Sequence, residues 1–289
     1  MPSVHAILVL IPVLAAGAEP PADEPVPACC RPGDARAAAI LAAATQAAEA
    51  DADLEPGVLA VLDAIDRQTL SLRDFASTVR MDSYDDLADE TERRFGRVYL
   101  RMPGTDGKPP RAAAVVFERT IEPSGRARER LEHFVLADGI LNDYDHEAKR
   151  LVRRRLVEDG DDRDPLRLGE GPVPIPIAQR KADILAAFEV SAAPSVPDRL
   201  LREKSGVRGL HLVPKAGTRM AEENRIESID LWVQGEAATP VAVEIRERDG
   251  DRVAVRFMKP RLNVGLDEDA ARWLVPPPVD PSTWRIEES

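Results

Sequence analysis

Reactive side chains are scarce in this chain. Its 289 residues include 2 cysteines and 4 histidines, too few for a disulfide framework or a dense metal cluster. Aromatic residues make up 4%, so there are few platforms on which bases or sugars could stack. Basic charge is also in deficit: 39 lysines and arginines stand against 51 acidic residues, a net charge of −12. A surface of that sign disfavours phosphate backbones and anionic lipid, which argues against nucleic acid as a partner. No G-x-S-x-G elbow, P-loop or G-x-G-x-x-G string occurs. No apolar run reaches the roughly 20 residues of a comfortable membrane-spanning helix.

The few reactive residues are poorly placed for chemistry. Cys29 and Cys30 are adjacent, and neighbours rarely meet disulfide geometry. They read as free or intermolecular thiols in a linker. Val26-Pro27-Ala28-Cys29 is a poor lipidation box, because it lies too far behind the apolar run and carries a proline. His133, His146 and His211 lack a metal-ligating partner at helical spacing, so they read as surface or strand-facing histidines. Residues 159–164 with Glu170 have the spacing of a calcium loop, but Arg163 and Asp164 occupy its fifth and sixth positions. A solvated acidic loop follows. Lys149, Arg150, Arg153, Arg154 and Arg155 read as a charged strand edge that discourages aggregation. No catalytic residue, metal or cofactor is expected.

What the chain does have is order along its length. Residues 1–18 carry an apolar core and the small-residue site Ala16-Gly17-Ala18, which predicts a signal peptide cleaved before Glu19 and export. Residues 19–33 form a proline- and acid-rich linker, and 34–53 an Ala-rich helical segment capped by Asp34. One domain is expected over 54–289. Pro56-Gly57 reads as a break, followed by a helix of about three turns carrying Val58, Leu59, Val61, Leu62 and Ile65.

The period then changes to two, predicting strands over 75–81, 95–102, 113–119, 131–136, 140–144, 149–157, 210–213, 226–233, 241–247 and 252–258. On the second strand Val98, Leu100 and Met102 share one face, with Arg97, Tyr99 and Arg101 on the other. Asp138-Gly139 and Asp249-Gly250 mark hairpin turns. Residues 169–177 alternate prolines and read as a loop over the sheet. Residues 178–188 return to helical spacing, and 194–209 are irregular. Val241, Val243 and Ile245 match Val253, Val255 and Phe257 across the last hairpin, while Glu244, Arg246, Arg252 and Arg256 face water. The expected fold is mainly β with helices (α+β): a strongly curved antiparallel sheet whose apolar face two helical segments cover.

Several strings, taken in order, resemble the periplasmic lipoprotein carriers of the LolA-like superfamily. They are Asp74-Phe75-Ala76-Ser77, Gly96-Arg97-Val98-Tyr99-Leu100-Arg101-Met102-Pro103, Leu136-Ala137-Asp138-Gly139 and Leu141-Asn142-Asp143-Tyr144. Leu210-His211-Leu212-Val213-Pro214-Lys215, Ile229-Asp230-Leu231-Trp232-Val233, Val243-Glu244-Ile245 and Val253-Ala254-Val255-Arg256-Phe257 continue the series, which residues 266–278 close. The resemblance covers about residues 54–280.

It implies an unclosed β half-barrel whose helices form a lid, and a non-enzymatic, monomeric chaperone. Such a protein carries lipoprotein acyl chains, or other lipid, between inner- and outer-membrane lipoprotein transport proteins. On that reading the acyl-chain cavity is lined by Val98, Leu100, Met102, Val115, Phe117, Phe134, Leu136, Ile229, Leu231, Val243, Ile245, Val255 and Phe257. The lid side is Val58, Leu62, Ile184 and Phe188.

Two departures stand out: the low aromatic content, and Met102, which occupies the position where the best-known carriers place an arginine that latches the lid. A lid held by apolar packing without a polar latch follows from the second. The alternative is a sensor or protein-interaction module of the same fold, with the cavity collapsed and the acidic surface meeting a membrane-protein partner.

Overall fold

The computed structural model describes residues 54–104, 111–156, 166, 176–194, 199–223 and 225–288. The described residues belong to one compact unit, Ala47–Ser289. The expected signal peptide, linker, Ala-rich segment and acidic loop, with most of the proline loop, lie outside the described residues.

The chain opens with helix α1 (Pro56–Ser71) and runs through β1 (Asp74–Asp85), β2 (Glu90–Arg101), β3 (Ala112–Ile121), β4 (Ala127–Ala137), β5 (Ile140–Asp145) and β6 (Arg150–Arg155). Helix α2 (Lys181–Ala187), β7 (Phe188–Ala192), α3 (Arg199–Arg202), β8 (Val207–Pro214) and α4 (Arg219–Glu222) follow. The last elements are β9 (Ile226–Gln234), β10 (Thr239–Glu247), β11 (Arg252–Leu262), α5 (Glu268–Trp273) and β12 (Arg285–Glu288). The described strands make one sheet in the order β12-β6-β5-β4-β3-β2-β1-β11-β10-β9-β8-β7. Its outer members, β12 and β7, do not pair with each other, so the sheet stays open. The expected mainly-β, unclosed antiparallel half-barrel with helices is the fold observed.

Local chemistry explains the elements. Pro56 does not break the chain; it starts α1 at a first-turn position, where its missing N–H costs nothing. The helix then runs 16 residues, longer than the apolar spacing alone suggests. Asp138 and Gly139 both take positive φ (51° and 73°), the geometry of a tight turn between β4 and β5. At Gly96, where the β2–β3 register slips, a side chain would run into the Val116 carbonyl oxygen.

Three expectations change. Phe188 does not end a helix: it takes an extended conformation and opens β7, which pairs with residues 210–214 of β8. Strand β8 itself begins at Val207, inside the stretch read as irregular. Strand β6, with its basic cluster, is not the sheet edge, because β12 adds to it in parallel and Glu288 meets Arg153 at 3.1 Å. Pairing with a distant segment decides all three, and local spacing does not carry that information.

Alternation divides the side chains between two faces. The face that α1 covers, the inner face, carries the main core, while Tyr99, Ala114, Val135, Tyr144 and Leu151 form a second apolar cluster on the outer face. Residues of the C-terminal segment, among them Ala270, Trp273, Leu274, Trp284 and Ile286, pack over that second cluster. Each fully buried large side chain, such as Leu62 or Leu100, contributes about 1.5–3 kcal/mol through area removed from water.

Candidate functional site: the inner face and its helical cover

The strand register sets the inner face out in rows. Val98, Val115 and Phe134 lie opposite one another across β2, β3 and β4, and Leu100, Ala113, Leu136 and Leu141 do so across β2 to β5. On the other half, Leu210, Leu231, Val243 and Val255 align across β8 to β11. Strand β1 joins the halves, pairing Met81 with Val255, Val79 with Phe257, and Phe75 with Leu100.

Every residue expected to line the cavity or its lid falls in or against one cluster. Val98, Leu100, Val115, Phe117, Leu136, Ile229, Leu231, Val243, Ile245, Val255 and Phe257 are buried there with Val58, Leu62, Ile184 and Phe188; Met102 and Phe134 pack against them half-buried. Sequence reasoning missed Phe75, whose ring meets that of Phe257 edge-on at 6.1 Å where the two halves join. It also missed Ile177 and Ala178, which are buried in the same cluster at the end of the proline stretch.

The cover is α1, which packs on β7, β8 and α2. Polar bonds fasten it to residues 179–181. Asp66 Oδ1 accepts from Arg180 Nε at 2.8 Å and from the Lys181 backbone N–H at 3.0 Å, and Lys181 Nζ donates to Asp63 at 2.9 Å. Deeper, Thr69 donates to the Gln179 carbonyl at 2.7 Å and Gln68 to the Ala238 carbonyl at 3.1 Å. These polar bonds stand beside the apolar packing of Val58, Val61, Leu62 and Ile65. Burial alone would raise the Asp66 carboxyl, but the Arg180 and Lys181 bonds outweigh it and hold the group below its ordinary value. Met102 itself lies just past β2, its N–H donating to the Arg73 carbonyl at 2.8 Å.

Toward one end of the strands the inner face turns from apolar to ionic. Arg94 lies 2.6 Å from Glu92 and 3.4 Å from Glu132, with its guanidinium 5.9 Å from the Phe117 ring centre. Arg130 bridges Glu132 at 3.1 Å and Asp145 at 2.8 Å. Burial pushes the Asp143 carboxyl up, opposed by Arg154 and Arg150. In sequence these charges look like any solvated strand face, since a charge does not announce its partner.

The outer face holds two further surprises. Glu244, read as facing water, is buried, with Arg246 2.8 Å away. His211, read as unpartnered, sets Nδ1 2.6 Å from Asp230 Oδ1 across the β8–β9 pair, and Asp230 is itself buried. A partner 19 residues away in another strand is invisible to helical spacing. Among the described residues no cluster of His, Cys, Asp and Glu could hold a metal ion, and no helix is long and apolar enough to cross a membrane.

No protein-family model matches the chain, and no curated protein does. Among solved structures it is similar to an uncharacterized conserved protein from Thermus thermophilus, with a TM-score of 0.42 and 12% identity, covering 79% of this chain and 97% of that one. It is also similar to lipoprotein LppX of Mycobacterium tuberculosis, with a TM-score of 0.37 and 12% identity over 74% of this chain and 98% of the other. A third similar structure is a LolA superfamily protein from Nitrosomonas europaea, with a TM-score of 0.33 and 10% identity over 74% of this chain and 97% of the other.

Proposed function

We propose that the protein is an exported, non-enzymatic carrier or binder of acyl chains, lipoprotein-borne or free, working in lipoprotein sorting toward the outer membrane. One observation carries the reading: a single apolar cluster runs across the inner face of an open sheet, under a helix held by a few polar bonds at its C-terminal half. An acyl chain laid on that face would replace Val58, Val61, Leu62 and Ile65 of α1. Burying each CH₂ is worth about 0.8 kcal/mol, close to what the displaced helix side chains give up. The exchange of one apolar cover for another is nearly balanced, so the latch bonds set the threshold.

Native mass spectrometry of the protein purified from the periplasm without delipidation tests this. The expected result is a processed chain starting at Glu19 that carries a lipid-mass adduct. A lipid-free protein that also takes up no fluorescent fatty-acyl probe would overturn the carrier reading. A second reading, a sensor or interaction module with a filled inner face, is favoured by the complete burial of Leu62, Leu100, Phe117, Val243 and Val255 in this structure. For that reading the same experiment gives a bare chain.

A further inference from the structure

The C-terminal segment crosses the outer face over a stack of histidine and aromatic rings. His133 lies flat against Tyr144 at 5.5 Å between ring centres and 6.4 Å from His146, and Tyr144 and His146 are 5.9 Å apart. The segment closes on this stack with two edges: Trp273 meets His133 at 4.9 Å, and Trp284 meets His146 at 5.5 Å. Its polar attachments are few. His133 Nε2 sits 2.9 Å from the Trp273 carbonyl, Tyr144 donates to the Pro277 carbonyl at 3.0 Å, and β12 adds four residues to β6.

We propose that residues 266–288 are an acid-released strap: protonation of His133 and His146 undocks the segment and uncovers the outer face of β2 to β6 with the free edge of β6.

The geometry makes each histidine a proton-sensitive joint. The Trp273 carbonyl can only accept, so His133 Nε2 carries a hydrogen and its buried Nδ1 has no partner. A proton arriving at Nδ1 would place a charge among apolar rings with nothing to receive it. His146 Nε2 is likewise buried without a partner, and the two rings are stacked, so two charges would repel.

The charged groups around the joint are already engaged. Arg97 pairs with Glu118 and lies 3.5 Å from Asp269, and Arg272 pairs with Asp269 at 2.7 Å. Asp145, whose charge favours a proton on His146, accepts from Arg130 and from the backbone N–H groups of Glu147 and Ala148. At the far end Arg153 meets Glu288. Val116, opposite His133 on β3, brings no charge.

Burial is the chief cause that pushes His133 down from 6.5 to about 4, and it lowers His146 as well. A folded value below the free one means the open strap binds protons more readily than the closed one. Closure is therefore fully favoured above pH 6.5 and weakens as pH falls toward 4. By linkage the closing equilibrium changes by up to ~300-fold from His133 alone.

Hydrogen exchange on the full chain, corrected for the intrinsic pH dependence of the rates, tests this between about pH 7 and about pH 4.5. Amides of residues 266–288 are expected to lose protection by at least ~10-fold, while those of β9 to β11 keep theirs. The His133→Gln/His146→Gln variant, which retains a donor for the Trp273 carbonyl, should hold the strap closed at both pH values. Independently of any variant, the imidazole proton resonances of the unmodified chain should titrate with the midpoint of strap opening. A strap still protected at the acidic end with both imidazoles protonated would overturn the proposal. So would a common opening of strap and β9 to β11.

Discussion

At the scale of single residues, Gly96 shows how a strand can depend on an absent side chain. It sits where β2 and β3 slip in register, and a Cβ there would collide with the backbone of Val116. Gly96→Ala is expected to cost about 1–3 kcal/mol, the range for overpacking, read as a lower urea midpoint with an unchanged slope. Val255 tests the other side of the fold. It lies fully buried on the inner face between Val243 and Met81, so Val255→Asp should abolish binding of a fatty-acyl probe. Since an unpaired buried carboxylate also destabilises by a few kcal/mol, probe binding must be compared at matched folded fraction. Retained binding would place the acyl site elsewhere. Residues of this kind were legible in the sequence because period-two alternation names a face before it names a partner. Glu244 and His211 were not, because the burial of Glu244 and the pairing of His211 depend on neighbouring strands and on Arg246 and Asp230, which only strand pairing brings close.

Among the elements, α1 is where packing and latch compete. Its apolar side would be exchanged for ligand at little net cost, so Asp63 and Asp66 carry the difference between closed and open. Each such part-exposed ion pair is worth about 0.2–1 kcal/mol. Asp63→Asn with Asp66→Asn is therefore expected to speed acyl-probe association several-fold in stopped-flow fluorescence, with little change in urea stability. An unaltered rate would mean that the ion pairs do not gate the face. The pH dependence follows from Asp66: its pKa is lowered, so its contribution is complete above 3.8 and is lost only as pH falls through the folded value. The Asp66 contribution is thus insensitive to pH over the range in which His133 responds. The helix could be read from its apolar spacing, and the latch could not. Arg180 and Lys181 follow α1 by more than a hundred residues. Residues 266–278 stand out in the sequence only by likeness, because no local spacing shows that they pack over Tyr99, Val135 and Tyr144.

For the whole molecule, the strand order describes two consecutive meanders, β1 to β6 and β7 to β11, that meet through a single junction between the first strand and the eleventh. Within each meander, neighbours in sequence are neighbours in space. At the junction Phe75 faces Leu262 and Tyr84 faces Arg252, so nearly the whole domain must be made before it can form. Closing so long a loop costs about 4–5 kcal/mol in chain entropy, before any contact offsets it, and such non-local pairing makes folding slow. The inner face becomes continuous only at that step, so on the proposed reading the acyl site is complete only once that long-range contact is made. Junction formation should therefore limit the folding rate. Phe257→Leu, at the Val79–Phe257 contact, is expected to slow refolding by most of the amount it destabilises, and Val135→Ala, in a meander already formed at that step, should slow it likewise with little change in unfolding rate. Because α1 precedes β1 in the chain yet packs on β7 and β8, it is pinned to both meanders. In kinetic terms α1 is a second tie between the two meanders, docked on one while its chain runs on into the other.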